Sequence, residues 1–170
     1  MYLPSDMTLL GQPIVCIDFE TFSFLGSTKI IVKEFAAVHY IHGERKADIL
    51  FNAKDRTGMN AERVRTLGTQ ALNTGILMGY NLRFDWNCLA QFMPLANKFI
   101  GIDVLALVRK HEGQFRGSNS LSEVCARYNI AIKPHIAVED TVATIKLFRK
   151  LCLRYNVQSL HNIYRRDGFR

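Results

Sequence analysis

Two acids mark the end of the chain's most telling apolar run. Ile14 to Phe19 reads IVCIDF, entered from Pro13 and followed by Glu20, and such a short run reads as a buried strand. Alternate residues of a strand share a face, so Asp18 and Glu20 project from the same side at its carboxyl end. Like charges so close repel unless a cation lies between them, and carboxylate oxygens suit hard divalent ions such as Mg2+ or Mn2+. The alternative is two solvated carboxylates at a strand end.

Two further acids stand in apolar settings. Asp85 follows Gly79-Tyr80-Asn81-Leu82-Arg83-Phe84 at the start of a helix, where an acid also suits the helix dipole, so capping competes with chemistry. Asp140 lies one turn into an apolar helix, with His135 five residues earlier at that helix's first turn and nearly on the same side. An imidazole titrating near neutrality is a competent general base, and a structural histidine is the competing reading. His39, His42, His111 and His161 lack such a setting and read as structural or surface residues.

Taken in order, Asp18-Phe19-Glu20-Thr21, then Asn81-Leu82-Arg83-Phe84-Asp85, then His135-Ile136-Ala137-Val138-Glu139-Asp140 resemble the three motifs of the DEDDh, or DnaQ-like, 3'-to-5' exonucleases. The third has the H-x-A-x-x-D form; the sister DEDDy group has a tyrosine four residues before the aspartate, where this chain has Ile136. The resemblance runs from about Ile14 to Lys150. It takes in Glu34-Phe35-Ala36-Ala37-Val38 on a second strand, Ile102-Asp103-Val104-Leu105-Ala106-Leu107 at a strand-to-helix step, and Ser120-Leu121-Ser122-Glu123-Val124-Cys125 before the third motif.

That resemblance implies an RNase H-like fold and a two-metal phosphodiester hydrolase using Mg2+ or Mn2+. Asp18 would bridge both ions, Glu20 and Asp140 would complete the site of the ion that activates water, and Asp85 would hold the second ion, partly through water. His135 would take the proton from that water. Phe19, Thr21, Asn81 and Phe84 would line the terminal nucleotide. Relatives often read E-T-T-G-L where this chain reads Glu20-Thr21-Phe22-Ser23-Phe24-Leu25-Gly26, so Phe22, Phe24 and Leu25 are all candidates for the wedge against the end base, and their alternative role is to plug the core. The stretch between the first two motifs is short for the family. Arg83, Arg109, Lys110, Arg116 and Lys133 are candidate phosphate contacts, each weighed against a merely solvated cation.

The elements that must position these residues follow from pattern. Ile30 to Tyr40 and Asp48 to Phe51, separated by the His42-Gly43 turn, form with the first strand an antiparallel meander. Asn60 is a cap for a helix to about Leu72; Ile76 to Met78 is a fourth strand; Phe84 to Phe92 is helical, Phe99 to Ile102 a strand and Asp103 to His111 a helix. Glu112 to Asn119 reads as a mobile loop, and Ser120 caps a helix through Tyr128. The last helix follows Pro134 and buries Ala137, Val138, Thr141, Val142, Ile145, Phe148, Leu151 and Cys152. The expectation is an α/β domain with a mixed five-stranded sheet, three antiparallel strands and then two parallel ones, flanked by helices. A single domain spans 1–170, with its core at about 13–153 and a short basic tail over 154–170.

Composition bounds the partner. The 170 residues are 48% hydrophobic and carry 22 Lys plus Arg against 15 Asp plus Glu, a net +7 that suits a polyanion such as nucleic acid. The motifs serve DNA and RNA alike. Four cysteines without a CxxC pair read as reduced core thiols of an intracellular, cytoplasmic protein. Met1 to Gly11 has no secretory pattern, and no apolar run is long enough for a membrane span. A homodimer, or a replication, repair or RNA-processing partner, is compatible with the family. The competing functions are a non-catalytic nucleic-acid-binding or scaffolding module on the same fold, which would tolerate loss of an acid or the histidine, and an internal nuclease, which has no need of H-x-A-x-x-D.

Overall fold

A computed structural model describes residues 13–22, 31–41, 44–52, 61–73, 76–94, 101–113 and 119–157. Its five strands are β1 (Ile14–Phe22), β2 (Ile31–Ile41), β3 (Glu44–Asn52), β4 (Ile76–Gly79) and β5 (Gly101–Asp103), in the spatial order β3-β2-β1-β4-β5. β1 pairs antiparallel with β2, and β2 with β3; β4 pairs parallel with β1, and β5 with β4. The mixed sheet expected from the pattern is therefore the sheet observed, with β1 at its centre.

Alternation along β1 divides the core in two. Ile14 and Cys16 point into a cluster with Val104, Val108, Val124, Phe148 and Leu151, while Val15, Ile17 and Phe19 point into one with Val64, Leu82 and Leu89. Helices α3 (Val104–Glu112), α4 (Leu121–Arg127) and α5 (Ala137–Arg154) thus cover one face, and α1 (Ala61–Leu72) with α2 (Leu82–Ala90) the other. Asp18 and Glu20 continue the Ile14 and Cys16 face, and so emerge under α5.

Several boundaries differ from the sequence expectation for identifiable reasons. β1 continues to Phe22 and β3 begins at Glu44, because polar residues join a strand when a neighbour supplies the ladder; Ile41 faces Glu44 across the hairpin. Exposed Glu44, Arg45 and Lys46 on this outermost strand also discourage edge-to-edge pairing. α2 starts at Leu82, wholly buried, after Asn81 in the left-handed region at φ 62°. α3 begins one residue after Asp103, whose side chain caps it, and α4 opens on a full capping box between Ser120 and Glu123. In α5 Ala137, Thr141, Ile145, Phe148 and Leu151 are buried as expected; Val138, Val142 and Cys152 are half-buried, and Ala143, Thr144 and Leu147 join the buried face.

Packing continues into the segment expected as tail: the Tyr155 hydroxyl reaches Glu112 Oε1 at 3.3 Å, and Val157 is buried. The expected cap Asn60, most of the Glu112–Asn119 loop and residues 158–170 lie outside the described residues. Among the described residues, no disulfide forms and no helix is long and apolar enough to cross a membrane. Cys16, Cys88 and Cys125 are buried, and burial pushes the Cys88 thiol up to about 12 and that of Cys125 to about 11.

Candidate active site

The carboxyl end of β1 is where three distant stretches of chain converge. Asp18 and Glu20 share its α5-facing side, and Asp140 comes down from the first turns of α5 to meet them. One carboxylate oxygen from each of the three lies within 4.8 Å of the others, close enough to share a cation. Asp85 approaches from the other side: it is 1% exposed on α2, and its Oδ1 accepts the Phe19 N–H at 3.0 Å.

That last contact gives Asp85 a partner outside its own helix. Asn81 occupies the N-cap position of α2, and Asp85 reaches out of its helix to the backbone between the two acids of β1. Gly79, at the end of β4, makes room for it. A Cβ there would lie 2.9 Å from Leu82 Cδ1, 3.3 Å from Asp85 Oδ2 and 3.4 Å from the Ile17 carbonyl oxygen.

The unsatisfied atoms point to a missing positive charge. Asp18 Oδ2, Asp85 Oδ2 and Asp140 Oδ1 are buried without a hydrogen-bond partner among the described residues, a costly state for carboxylates. Burial, and then the neighbouring charges of Asp140, Glu20 and Glu34, pushes the Asp18 carboxyl well above the usual range. Asp85 is pushed up by burial and by Asp18, against the opposing hydrogen bond from Phe19. Asp140 is raised to about 6, chiefly by burial, while the N–H of His135 works the other way. Asp18 Oδ2 and Asp140 Oδ1 belong to two of the three carboxylates that meet, and a divalent cation would satisfy such oxygens.

A stability prediction follows. The folded protein holds a proton on Asp140 up to about pH 6, whereas the ordinary carboxyl releases it near 3.8. The native state therefore binds more protons than the unfolded one across that window, and stability falls as pH rises through it. In EDTA the melting temperature should drop between about pH 5 and pH 8 by at least about 2–4 °C, the equivalent of about 1 kcal/mol in a domain of this size. Millimolar Mn2+ should restore it at the higher pH. A melting temperature that is flat in EDTA, or indifferent to Mn2+, would count against this site.

His135 is placed differently from expectation. It precedes α5 by two residues, in a turn, at φ 64° in the left-handed region, where the sequence suggested the helix's first turn. Its N–H donates to Asp140 Oδ2 at 3.1 Å, so the aspartate itself holds the turn. The imidazole is 84% exposed, with Nδ1 3.8 Å from Glu20 Oε1, at the mouth of the cluster.

The other expected site residues divide. Thr21 and Phe22 are half-buried at the end of β1, and Asn81 and Phe84 are exposed beside Asp85. The Phe19 ring is buried, 4.5 Å centroid to centroid from that of Phe35, so its link to the site is through the backbone. Phe24, Leu25 and Arg116 lie outside the described residues; Arg83, Arg109, Lys110 and Lys133 are exposed. His39 is half-buried on β2 and His111 stacks on Tyr155 at 4.5 Å, away from the acids.

Two acids beside the cluster had no functional role from sequence. Asp103 Oδ1 caps α3 through Leu105 and Ala106 and also accepts the Asn81 N–H at 3.2 Å, bracing the start of α2. Glu34 is buried on β2 near Asp18. Its signal was parity: on the Glu34, Ala36, Val38 side of the strand, the other two members are apolar.

No family model matches this sequence, and no curated protein sequence is similar to it. Solved structures are. The chain resembles a full-length 3'-exonuclease at 13% identity and TM-score 0.60, covering 86% of this chain and 83% of that one. It resembles the nuclease domain of 3'hExo, a DEDDh family member bound to rAMP, at 14% and 0.61, covering 86% and 94%. It resembles Exonuclease X in complex with 5' overhanging duplex DNA at 16% and 0.55, covering 88% and 96%. The fold of this chain is therefore the RNase H-like fold of those nucleases, the fold its motifs implied.

Proposed function

We propose that this chain is a DEDDh-type 3'-to-5' exonuclease that hydrolyses phosphodiester bonds at the 3' end of single-stranded or frayed DNA or RNA and releases nucleoside 5'-monophosphates. The observation that carries this reading is the meeting of Asp18, Glu20 and Asp140 within 4.8 Å, with unpartnered buried oxygens and His135 at their edge. The shared fold and the net +7 charge favour a nucleic-acid substrate, as do the rAMP and the DNA duplex named with two of the neighbours.

Asp18, Glu20 and Asp140 would hold one divalent cation, with Asp85 and Asp18 holding a second. Bound Mg2+ or Mn2+ supplies Lewis acidity toward the phosphoryl group, a nucleophile available at neutral pH, and charge neutralisation at the leaving 3'-oxygen. The residues do the rest. Water oxygen bonds to phosphorus, the bond from phosphorus to the 3'-oxygen breaks, and His135 takes the proton. Its imidazole Nδ1 lies 3.8 Å from Glu20 Oε1, at the edge of the cluster where that proton would be released. Asp140 orients that histidine by holding its N–H. Exposed Phe84, next to Asp85 on α2, and half-buried Phe22, two residues after Glu20 on β1, are the aromatic rings proposed to stack on bases without reading sequence.

The test is incubation with 5'-labelled single-stranded DNA and RNA of equal sequence in Mg2+, Mn2+ or EDTA. A metal-dependent ladder shortening from the 3' end is expected. Internal cutting, or activity indifferent to EDTA, sinks the mechanism, and tight binding without hydrolysis would make the chain the scaffolding module instead.

A further inference from the structure

We infer that Glu34 is a positioning residue for the carboxylate cluster: from the neighbouring strand it fixes the N-terminus of α5, and with it the places of Asp140 and His135 against Asp18 and Glu20. The inference uses the metal site of the proposed function, but its primary measurement is metal binding and needs no hydrolysis.

Glu34 is the partner of Glu20 in the β1–β2 register, and it is 9% exposed. Directly opposed residues of antiparallel strands share a face, and like charges there are destabilising. A buried acid at this position needs compensating contacts, and Glu34 has them. Its Oε2 accepts the Ala137 N–H at 3.2 Å in a buried hydrogen bond spanning 103 residues of sequence, and its Oε1 lies 3.6 Å from Lys33 Nζ.

Ala137 is the first residue of α5, and the N-cap position before it is Ile136, which makes no side-chain capping bond. Helix starts leave N–H groups without an intrahelical partner and favour negative charge. Here the cap arrives from the sheet. A short relay then carries that anchor to the site: the Asp140 N–H donates to the Ile136 carbonyl at 3.0 Å, and Asp140 Oδ2 accepts the His135 N–H at 3.1 Å. Ala36, the next residue on the same face of β2, stands opposite Asp18 and adds only a methyl group, which leaves α5 free to approach.

The experiment compares Glu34→Gln, which loses the charge but keeps an acceptor oxygen, with Glu34→Met, which matches the volume and keeps neither. The dissociation constant for Mn2+ is measured by titration calorimetry on the folded, metal-stripped protein, alongside kcat and KM for 3' trimming. Glu34→Met should weaken Mn2+ binding by about 10–100-fold, the range for partners that orient metal ligands, and Glu34→Gln by less than about threefold. kcat should follow metal affinity, with KM unchanged. Equal losses in the two variants would assign the effect to charge and overturn the inference. So would Mn2+ binding by Glu34→Met within about threefold of wild type. If Glu34→Met does not fold, Glu34→Gln decides, and a loss of tenfold or more in it is overturning. Wild-type protein that binds Mn2+ but trims nothing would sink the nuclease reading and leave this one standing; wild type that binds none sinks it.

Discussion

Asp18→Asn is expected to lower 3'-end hydrolysis by on the order of 10^3-fold or more while raising the melting temperature of the metal-free protein. Lewis-acid stabilisation is worth several kcal/mol, and each 1.36 kcal/mol is tenfold in rate. On the proposed mechanism, losing Asp18 forfeits it. Stability should move the other way, because Asp18 Oδ2 is buried without a partner and the carboxyl is surrounded by Asp140, Glu20 and Glu34. An amide of the same shape removes one of those charges and can donate to the others. Activity assays beside thermal melts in EDTA read both signs. A variant that loses stability along with activity would mark Asp18 as a structural residue, and one retaining more than a tenth of the rate would remove it from the site.

The second large effect is at His135, and the backbone dictates which variant tests it. At φ 64° most side chains are strained, whereas Asn tolerates the left-handed region and keeps the N–H that Asp140 accepts. His135→Asn should therefore reduce kcat by about 10^2–10^4-fold, the usual worth of a general base, with Mn2+ affinity within about threefold of wild type. Calorimetry and single-turnover rates separate the two. Should Mn2+ binding fall in step with kcat, His135 acts by holding Asp140 and not by taking a proton. His135→Ala would confound the measurement by adding backbone strain.

Much of this site was legible because local geometry already encodes it. Asp18 and Glu20 follow from strand parity, and the spacing of His135, Ala137 and Asp140 carries the third motif. The left-handed turn at His135 was not legible, because a helical spacing rule assumes helical backbone, and here Asp140 holds a non-helical residue in place. The contact of Asp85 with Phe19, 66 residues away, has no local pattern to announce it. Strand parity marks Glu34 as a buried acid but not its role, because its partner is on α5 and no local pattern reports a hydrogen bond across 103 residues. Strand ends were misplaced where charged residues such as Glu44 to Lys46 enter the ladder, since pairing with a neighbour, and not their own propensity, puts them there.

The wide separation of these contacts also sets when the site can exist. During synthesis Asp18 and Glu20 emerge roughly 120 residues before Asp140, which is about 6–24 s at about 5–20 residues per second. Until α5 is made and docked on β1 and β2, the cluster lacks both its third carboxylate and the turn that carries His135. A cation shared by Asp18, Glu20 and Asp140 can therefore bind only after α5 has docked, which ties the assembly of the carboxylate cluster to the closing of the sheet by its last helix.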